Sequence, residues 1–191
     1  MAREFELKYA ARPEDLEAIF SDFRDFDTIA METTYYDTPG GLLSAHGLTL
    51  RLRLENGRSV CTLKLPGGKD HPEFEVEDTD IHRAARTLWA QSRQEGLLEM
   101  LECGLIPVCG ARFTRRAKLL QLEQGSVELA LDKGVLLGGT KEMLLCEVEV
   151  ELKSGSDAVA ENFARELAEK YGLAPEPRSK YRRARQLAKG D

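Results

Sequence analysis

The chain has 191 residues, of which 42% are hydrophobic and 31% charged, with a formal net charge of -6 and four cysteines. That length predicts one domain spanning 1–191. The acidic balance argues against a nucleic-acid partner, and the chain has no run of 18 apolar residues such as a membrane span needs. Cys61, Cys103, Cys109 and Cys146 lack Cys-x-x-Cys spacing. They read as free thiols of a reducing cytoplasm, not as a disulfide framework or a zinc site. Arg3-Glu4 runs straight into a strand, so no signal peptide is expected.

In chain order, residues 2–10 read as a strand. Pro13 opens an amphipathic helix with Leu16, Ile19, Phe20 and Phe23 on its apolar face. Ile29 to Tyr36 reads as a second strand, ended by Asp37-Thr38-Pro39-Gly40-Gly41. Leu48–Leu54 and Val60–Leu65 form a hairpin across Asn56-Gly57. A fifth strand covers 73–77, and two helices fill 81–104, broken near Gly96 and ended by Gly104. Phe113–Leu122 and Ser126–Lys133 make a second hairpin across Gln124-Gly125, and 143–153 a long last strand. Asp157–Tyr171 reads as a helix with Asp157 as its N-cap and Gly172 as its stop. Ser179–Ala188 reads as a basic helix. The strands are joined mostly by hairpins, so the sheet is antiparallel. Eight strands are enough to close a barrel that holds a small ligand. The expected fold is α+β: a closed eight-stranded antiparallel barrel with helices on its outer face.

These strands share one pattern. Glu4-Phe5-Glu6-Leu7-Lys8, Leu50-Arg51-Leu52-Arg53-Leu54, Glu73-Phe74-Glu75-Val76-Glu77, Glu128-Leu129-Ala130-Leu131-Asp132 and Glu147-Val148-Glu149-Val150-Glu151 each alternate charge with apolar residues. Successive strand residues face opposite ways, so each strand has one charged and one apolar face. One such strand alone reads as an ordinary half-solvated strand. Like charges side by side on most of the strands are unfavourable unless something neutralises them. The helices, meanwhile, carry apolar stripes that need a sheet face. The charges therefore belong inside a tunnel, acidic on one wall and basic on another. Carboxylates clustered without His or Cys favour a hard cation such as Mg²⁺ or Mn²⁺. Paired arginines favour phosphate. His46, His71 and His82 are isolated, and Pro66-Gly67-Gly68-Lys69 leads to no helix, so neither reads as a site. There is no Walker loop and no nucleophile elbow.

Glu4-x-Glu6-x-Lys8, Tyr35-Tyr36-Asp37-Thr38-Pro39, Arg51-Leu52-Arg53, Thr62-Leu63-Lys64, Pro72-Glu73-Phe74-Glu75, Thr114-Arg115-Arg116, Glu128 to Asp132, Glu147-x-Glu149-x-Glu151 and Ser179-Lys180-Tyr181 follow one another in an order that resembles the CYTH family, the triphosphate tunnel metalloenzymes. The resemblance covers essentially the whole chain. It implies an eight-stranded tunnel and a metal-dependent phosphoanhydride hydrolase. Lys8, Arg51, Arg53, Lys64, Arg116 and Lys180 would then grip a triphosphate, with Arg116 preferred to Arg115. Glu4, Glu6, Glu73, Asp132, Glu147 and Glu149 would hold Mg²⁺ or Mn²⁺, with Glu73 preferred to Glu75. Lys8, Glu6 and Glu149 would serve the chemistry. The expected reaction is hydrolysis of inorganic triphosphate to pyrophosphate and phosphate by a cytoplasmic monomer or homodimer. A class IV adenylate cyclase, a nucleoside or thiamine triphosphatase, and a non-catalytic polyphosphate or nucleotide sensor are the alternatives. Leu136-Leu137-Gly138-Gly139-Thr140 departs from the cyclase pattern.

Overall fold

A computed structural model describes residues 5–67 and 72–190. Eight strands of five residues or more carry the fold: β1 (Glu6–Ala10), β2 (Asp27–Asp37), β3 (Thr49–Glu55), β4 (Arg58–Lys64), β5 (Glu73–Glu77), β6 (Ile106–Leu122), β7 (Gly125–Gly138) and β8 (Lys141–Ser154). The two-residue β9 (Ala174–Pro175) adds to β1. The helices are α1 (Pro13–Phe23), α2 (Leu42–Ala45), α3 (Ile81–Ser92), α4 (Leu97–Glu102), α5 (Asp157–Tyr171) and α6 (Lys180–Lys189). The strands are antiparallel neighbours in the order β5-β4-β3-β2-β6-β7-β8-β1-β9.

Local chemistry explains where the helices begin. Asp15 accepts from the Arg12 backbone N–H at 2.8 Å, which with Pro13 at the first turn starts α1. The Asp80 carboxylate caps α3 by accepting from His82 and Arg83. Ser179 caps α6 by accepting from Arg182. α5 spans Asp157–Tyr171 as expected, but Ser156 rather than Asp157 stands at its cap, and Gly172 in the left-handed region ends it. β6 starts at Ile106, seven residues before the expected Phe113, because its partner β2 extends to Asp37 and pairs with it there. The short α2 was not visible in the sequence because four residues carry no helical period.

The two faces of the sheet are unlike. On the outer face, Leu129, Leu131, Val148 and Val150 pack with Leu16 and Ile19 of α1 and Val159, Ala160 and Ala164 of α5. Leu50, Cys61 and Leu63 pack with Ala84, Ala85 and Leu88 of α3 and Leu97 and Met100 of α4. The inner face carries the charges, and they are buried: Asp132 and Glu147 are 0% exposed and Glu149 is 8% exposed. A flat sheet with water on that side would expose them. The sheet therefore wraps around its charged face, as the tunnel expectation requires, with α6 seated inside against β6 and β7. Ala184 packs there with Met31, Ala111, Phe113, Leu136 and Leu145. The hydrogen-bonded ladder itself is open: among the described residues it ends at β5 on one side and β9 on the other. Wrapping, not a continuous ring of hydrogen bonds, makes the tunnel.

Gly138 is what allows α6 to lie so close. A Cβ there would stand 2.5 Å from the Ala188 nitrogen and 2.8 Å from the Ala184 carbonyl oxygen. The same stretch of α6 is also anchored by Asp37, which is fully buried. Its carboxylate accepts from the Thr38 and Leu43 backbones at 2.8 and 2.9 Å and lies 3.7 Å from the Arg185 guanidinium. The Tyr35 and Tyr181 rings meet at 5.1 Å between the strand and the helix. Among the described residues no helix is long and apolar enough to cross a membrane.

Candidate active site

Register places the inner-face charges. Directly opposed residues in an antiparallel pair share a face, and the ladder pairs Arg115 with Asp132, Asp132 with Glu147, and Glu149 with Lys8. Asp132, Glu147 and Glu149 thereby converge, with carboxylate oxygens within 4.8 Å of one another. Three cations meet them. The Lys180 ammonium, at the first turn of α6, lies 2.5 Å from Glu147, 2.7 Å from Glu149 and 2.8 Å from Asp132. Arg115 donates twice to Asp132 at 2.8 Å and also reaches Glu149. Arg183 donates to Glu147.

Burial and charge act against each other here. Burial would lower the Lys180 ammonium, but Asp132, Glu149 and Glu147 together raise it well above its ordinary value. Burial would likewise lower Arg115, and Glu149 and Asp132 outweigh it. Burial would raise the Glu149 carboxyl, yet Lys180 and Arg115 hold it well below the usual carboxylate range. Its neighbour Glu147 is pushed by burial up to about 7 despite the pull of Lys180. Two adjacent buried carboxylates are thus held unequally, as expected when like charges share a site.

The inner face is cationic at β3 and β4. Arg51 lies 4.0 Å from Glu73 and 3.8 Å from Glu75. Arg53 pairs with Glu55, and Lys64 with Glu73. The Nε atoms of Arg51 and Arg53 are buried and have no hydrogen-bond partner. Burial, and then the neighbouring Arg51, push the Arg53 guanidinium below its ordinary value. Glu73 is the more enclosed of the two β5 candidates, its side chain 7% exposed against 48% for Glu75, which accepts from Thr62 at 2.8 Å.

Of the residues singled out in the sequence, Lys8, Glu6, Arg51, Arg53, Lys64, Glu73, Asp132, Glu147 and Glu149 lie on the inner face, and Lys180 reaches it from α6. Lys8 and Glu6 pair with each other at 3.2 Å. Glu6 and Glu73 stand outside the close group of three. Glu4 lies outside the described residues. Arg116 is the correction. It sits on the outer face, where it donates to Glu17 at 3.1 Å and its guanidinium lies 4.0 Å from the Phe20 ring centroid. Adjacent strand residues cannot share a face, so Arg115 is the inward one. The hairpin contained this signal. The chain turns at Glu123-Gln124, one residue before the expected Gln124-Gly125, so Arg115 lies opposite Asp132; counted from the expected turn it would oppose Gly134, on the same face. Arg183 and Asp37 had no comparable signal, since their partners come from β8 and α6, far away in sequence.

The donor set suits a hard divalent ion: three clustered carboxylates, no histidine and no thiolate. Burial drives the Cys109 thiol up to about 12.

Residues 2–184 match the CYTH domain family. Over 170 residues the chain is 28% identical to the inorganic triphosphatase of Haemophilus influenzae, covering 82% of this chain and 47% of that protein. The chain thus spans about half the length of the curated relative it matches. Among solved structures, HpAC1 from Hippeastrum, described as an adenylyl cyclase candidate with a dominant triphosphatase activity, aligns with a TM-score of 0.64 at 17% identity, over 99% of this chain and 96% of that one. The PH1819 protein of Pyrococcus horikoshii aligns with a TM-score of 0.62 at 22% identity, over 98% and 99%. At such identities the likeness is one of fold.

Proposed function

Because this chain belongs to the CYTH domain family, we propose that it is a divalent-metal-dependent triphosphatase that hydrolyses inorganic triphosphate to pyrophosphate and phosphate. The observation that carries the reading is the presence of two unlike charged groups on one inner face of the sheet. Arg51 and Arg53 present buried, unpartnered Nε donors in one, and Asp132, Glu147 and Glu149 gather in the other. Buried donors without acceptors are costly, and phosphate oxygens would satisfy them through the forked geometry of arginine. Lys64, Lys8 and Lys180 add charge along the same tunnel. Mg²⁺ or Mn²⁺, when bound by the carboxylates, would supply charge neutralisation and a more acidic water.

The protein's own contribution is placement and electrostatics, which dominate phosphoryl transfer. Arg51, Arg53 and Lys64 hold the phosphates in line. Glu149, kept well below its usual range by Lys180 and Arg115, is suited to bind a cation rather than a proton. Glu6, bonded only to Lys8 among the described contacts, is the better acceptor for the proton of the attacking water, with Lys8 orienting it.

The test is product analysis with inorganic triphosphate, ATP and thiamine triphosphate, each with Mg²⁺, with Mn²⁺ and with chelator. Metal-dependent phosphate release from inorganic triphosphate, faster than from the others, is expected. Cyclic AMP from ATP would instead make it a cyclase. Tight binding with no turnover would make it a sensor.

A further inference from the structure

Lys180 occupies the centre of the carboxylate group that a divalent ion needs. Its ammonium is within 2.8 Å of all three carboxylates, and its side chain is only 11% exposed. With Arg115 and Arg183 the group sets three basic side chains against three carboxyls, so it carries no net negative charge as it stands. A divalent ion entering it would meet no net attraction, and an ammonium paired with each of its ligands. One cation has to leave. The arginines are poorly suited to do so: Arg115 is locked by a bidentate fork on Asp132, and such forks are rigid. Lysine is a point charge on a flexible four-carbon stem. Its surroundings, with the Phe113 ring centroid 5.4 Å away, offer an ammonium no water-like shell. Leaving the carboxylates therefore requires another anion in the tunnel.

We propose that Lys180 is an exchangeable counter-ion that makes divalent-metal binding and triphosphate binding mutually dependent. With no substrate it neutralises Asp132, Glu147 and Glu149. When a triphosphate enters, the ammonium moves to its oxygens and frees the carboxylates for the metal. Such linkage is reciprocal: whatever the anion does for the affinity of the metal, the metal does for that of the anion. The nature of the anion rests on the proposed function, whereas the competition between Lys180 and the metal does not.

The experiment is Mn²⁺ retention by the whole chain in equilibrium dialysis, with and without a non-hydrolysable imido analogue of triphosphate. The wild-type chain should hold Mn²⁺ weakly alone and about tenfold or more tightly with the analogue, within the usual range of coupling. Lys180→Met should hold Mn²⁺ alone about tenfold more tightly than wild type, and the analogue should then add little. Lys180→Arg, which keeps the charge, should bind as weakly as wild type. Wild-type protein that binds Mn²⁺ equally well with and without the analogue would overturn the coupling, and this arm needs no variant to fold. A folded Lys180→Met with no gain in Mn²⁺ affinity would overturn the exchange. If the analogue fails to bind at all while Lys180→Met still gains Mn²⁺ affinity, the triphosphate reading fails and the exchange on the metal side stands.

Discussion

Replacing each of two adjacent arginines separately by methionine distinguishes the inner from the outer face. Arg115 has a side chain 16% exposed, donates two 2.8 Å hydrogen bonds to the fully buried Asp132 and contacts Glu149. Arg115→Met leaves Asp132 and Glu149 with Lys180 as their remaining partner, which they share with Glu147. Removing one member of a buried ion pair costs about 3–5 kcal/mol, which for a domain of this length lowers the melting temperature by about 6–20 °C. Arg116 is 32% exposed beside Glu17, which is 49% exposed. An exposed pair of that kind contributes at most about 1 kcal/mol, and its stacking on Phe20 about 0.5–1 kcal/mol. Arg116→Met should then lower the melting temperature by only about 1–8 °C. Calorimetry reads the stability, and phosphate release from inorganic triphosphate reads the site. The Arg115 variant should lose turnover, whereas the Arg116 variant should keep it. Equal losses of stability, or a greater loss of turnover in the Arg116 variant, would refute the assignment of faces.

Three further outcomes follow from the same geometry. Gly138→Ala should destabilise the chain by about 1–3 kcal/mol, the usual cost of overpacking, because the new methyl meets α6 backbone at 2.5 Å, whereas Gly40→Ala, with nothing within 4 Å, should be neutral; denaturant midpoints compare them. Asp37→Ala removes the anchor shared by α2 and Arg185; a loss of about 1.5–3 kcal/mol, typical of hydrogen bonds to charged groups, should appear in urea unfolding, together with weaker triphosphate binding as α6 loosens. Hydrogen bonds from the Arg178 side chain hold the Glu176 carboxyl down at about 2, against the effect of burial. A depressed carboxylate stabilises the fold above its unfolded value and loses that contribution as pH falls towards its folded value. Between about pH 4.3, the ordinary glutamate value, and pH 2, the stability advantage of wild type over Glu176→Gln should therefore shrink; an advantage constant across that range would show that Glu176 is not held this way.

Much of this organisation was legible along the chain. The alternation in Glu147-Val148-Glu149-Val150 divides β8 into a charged and an apolar face because strand side chains alternate whatever surrounds them. The turn pair Asn56-Gly57 places one hairpin in its observed register, and Gln124-Gly125 places the other to within one residue, which still leaves Arg115 on the face of Asp132. These are local rules, set by backbone geometry. What the residues could not decide alone was which charges would meet across distance. Nothing near Lys180 in sequence names Asp132, Glu147 and Glu149 as its partners, and nothing near Arg185 names Asp37. Those meetings depend on α6 entering the wrapped sheet, which rests on Gly138 leaving room for its backbone and on Ala184 filling the apolar end of the tunnel. The sequence by itself determined the strands, their charged faces and the kinds of ligand those charges suit. The tertiary structure decided how the charges pair, because electrostatic pairing is set by separation and burial, and both are properties of the folded chain.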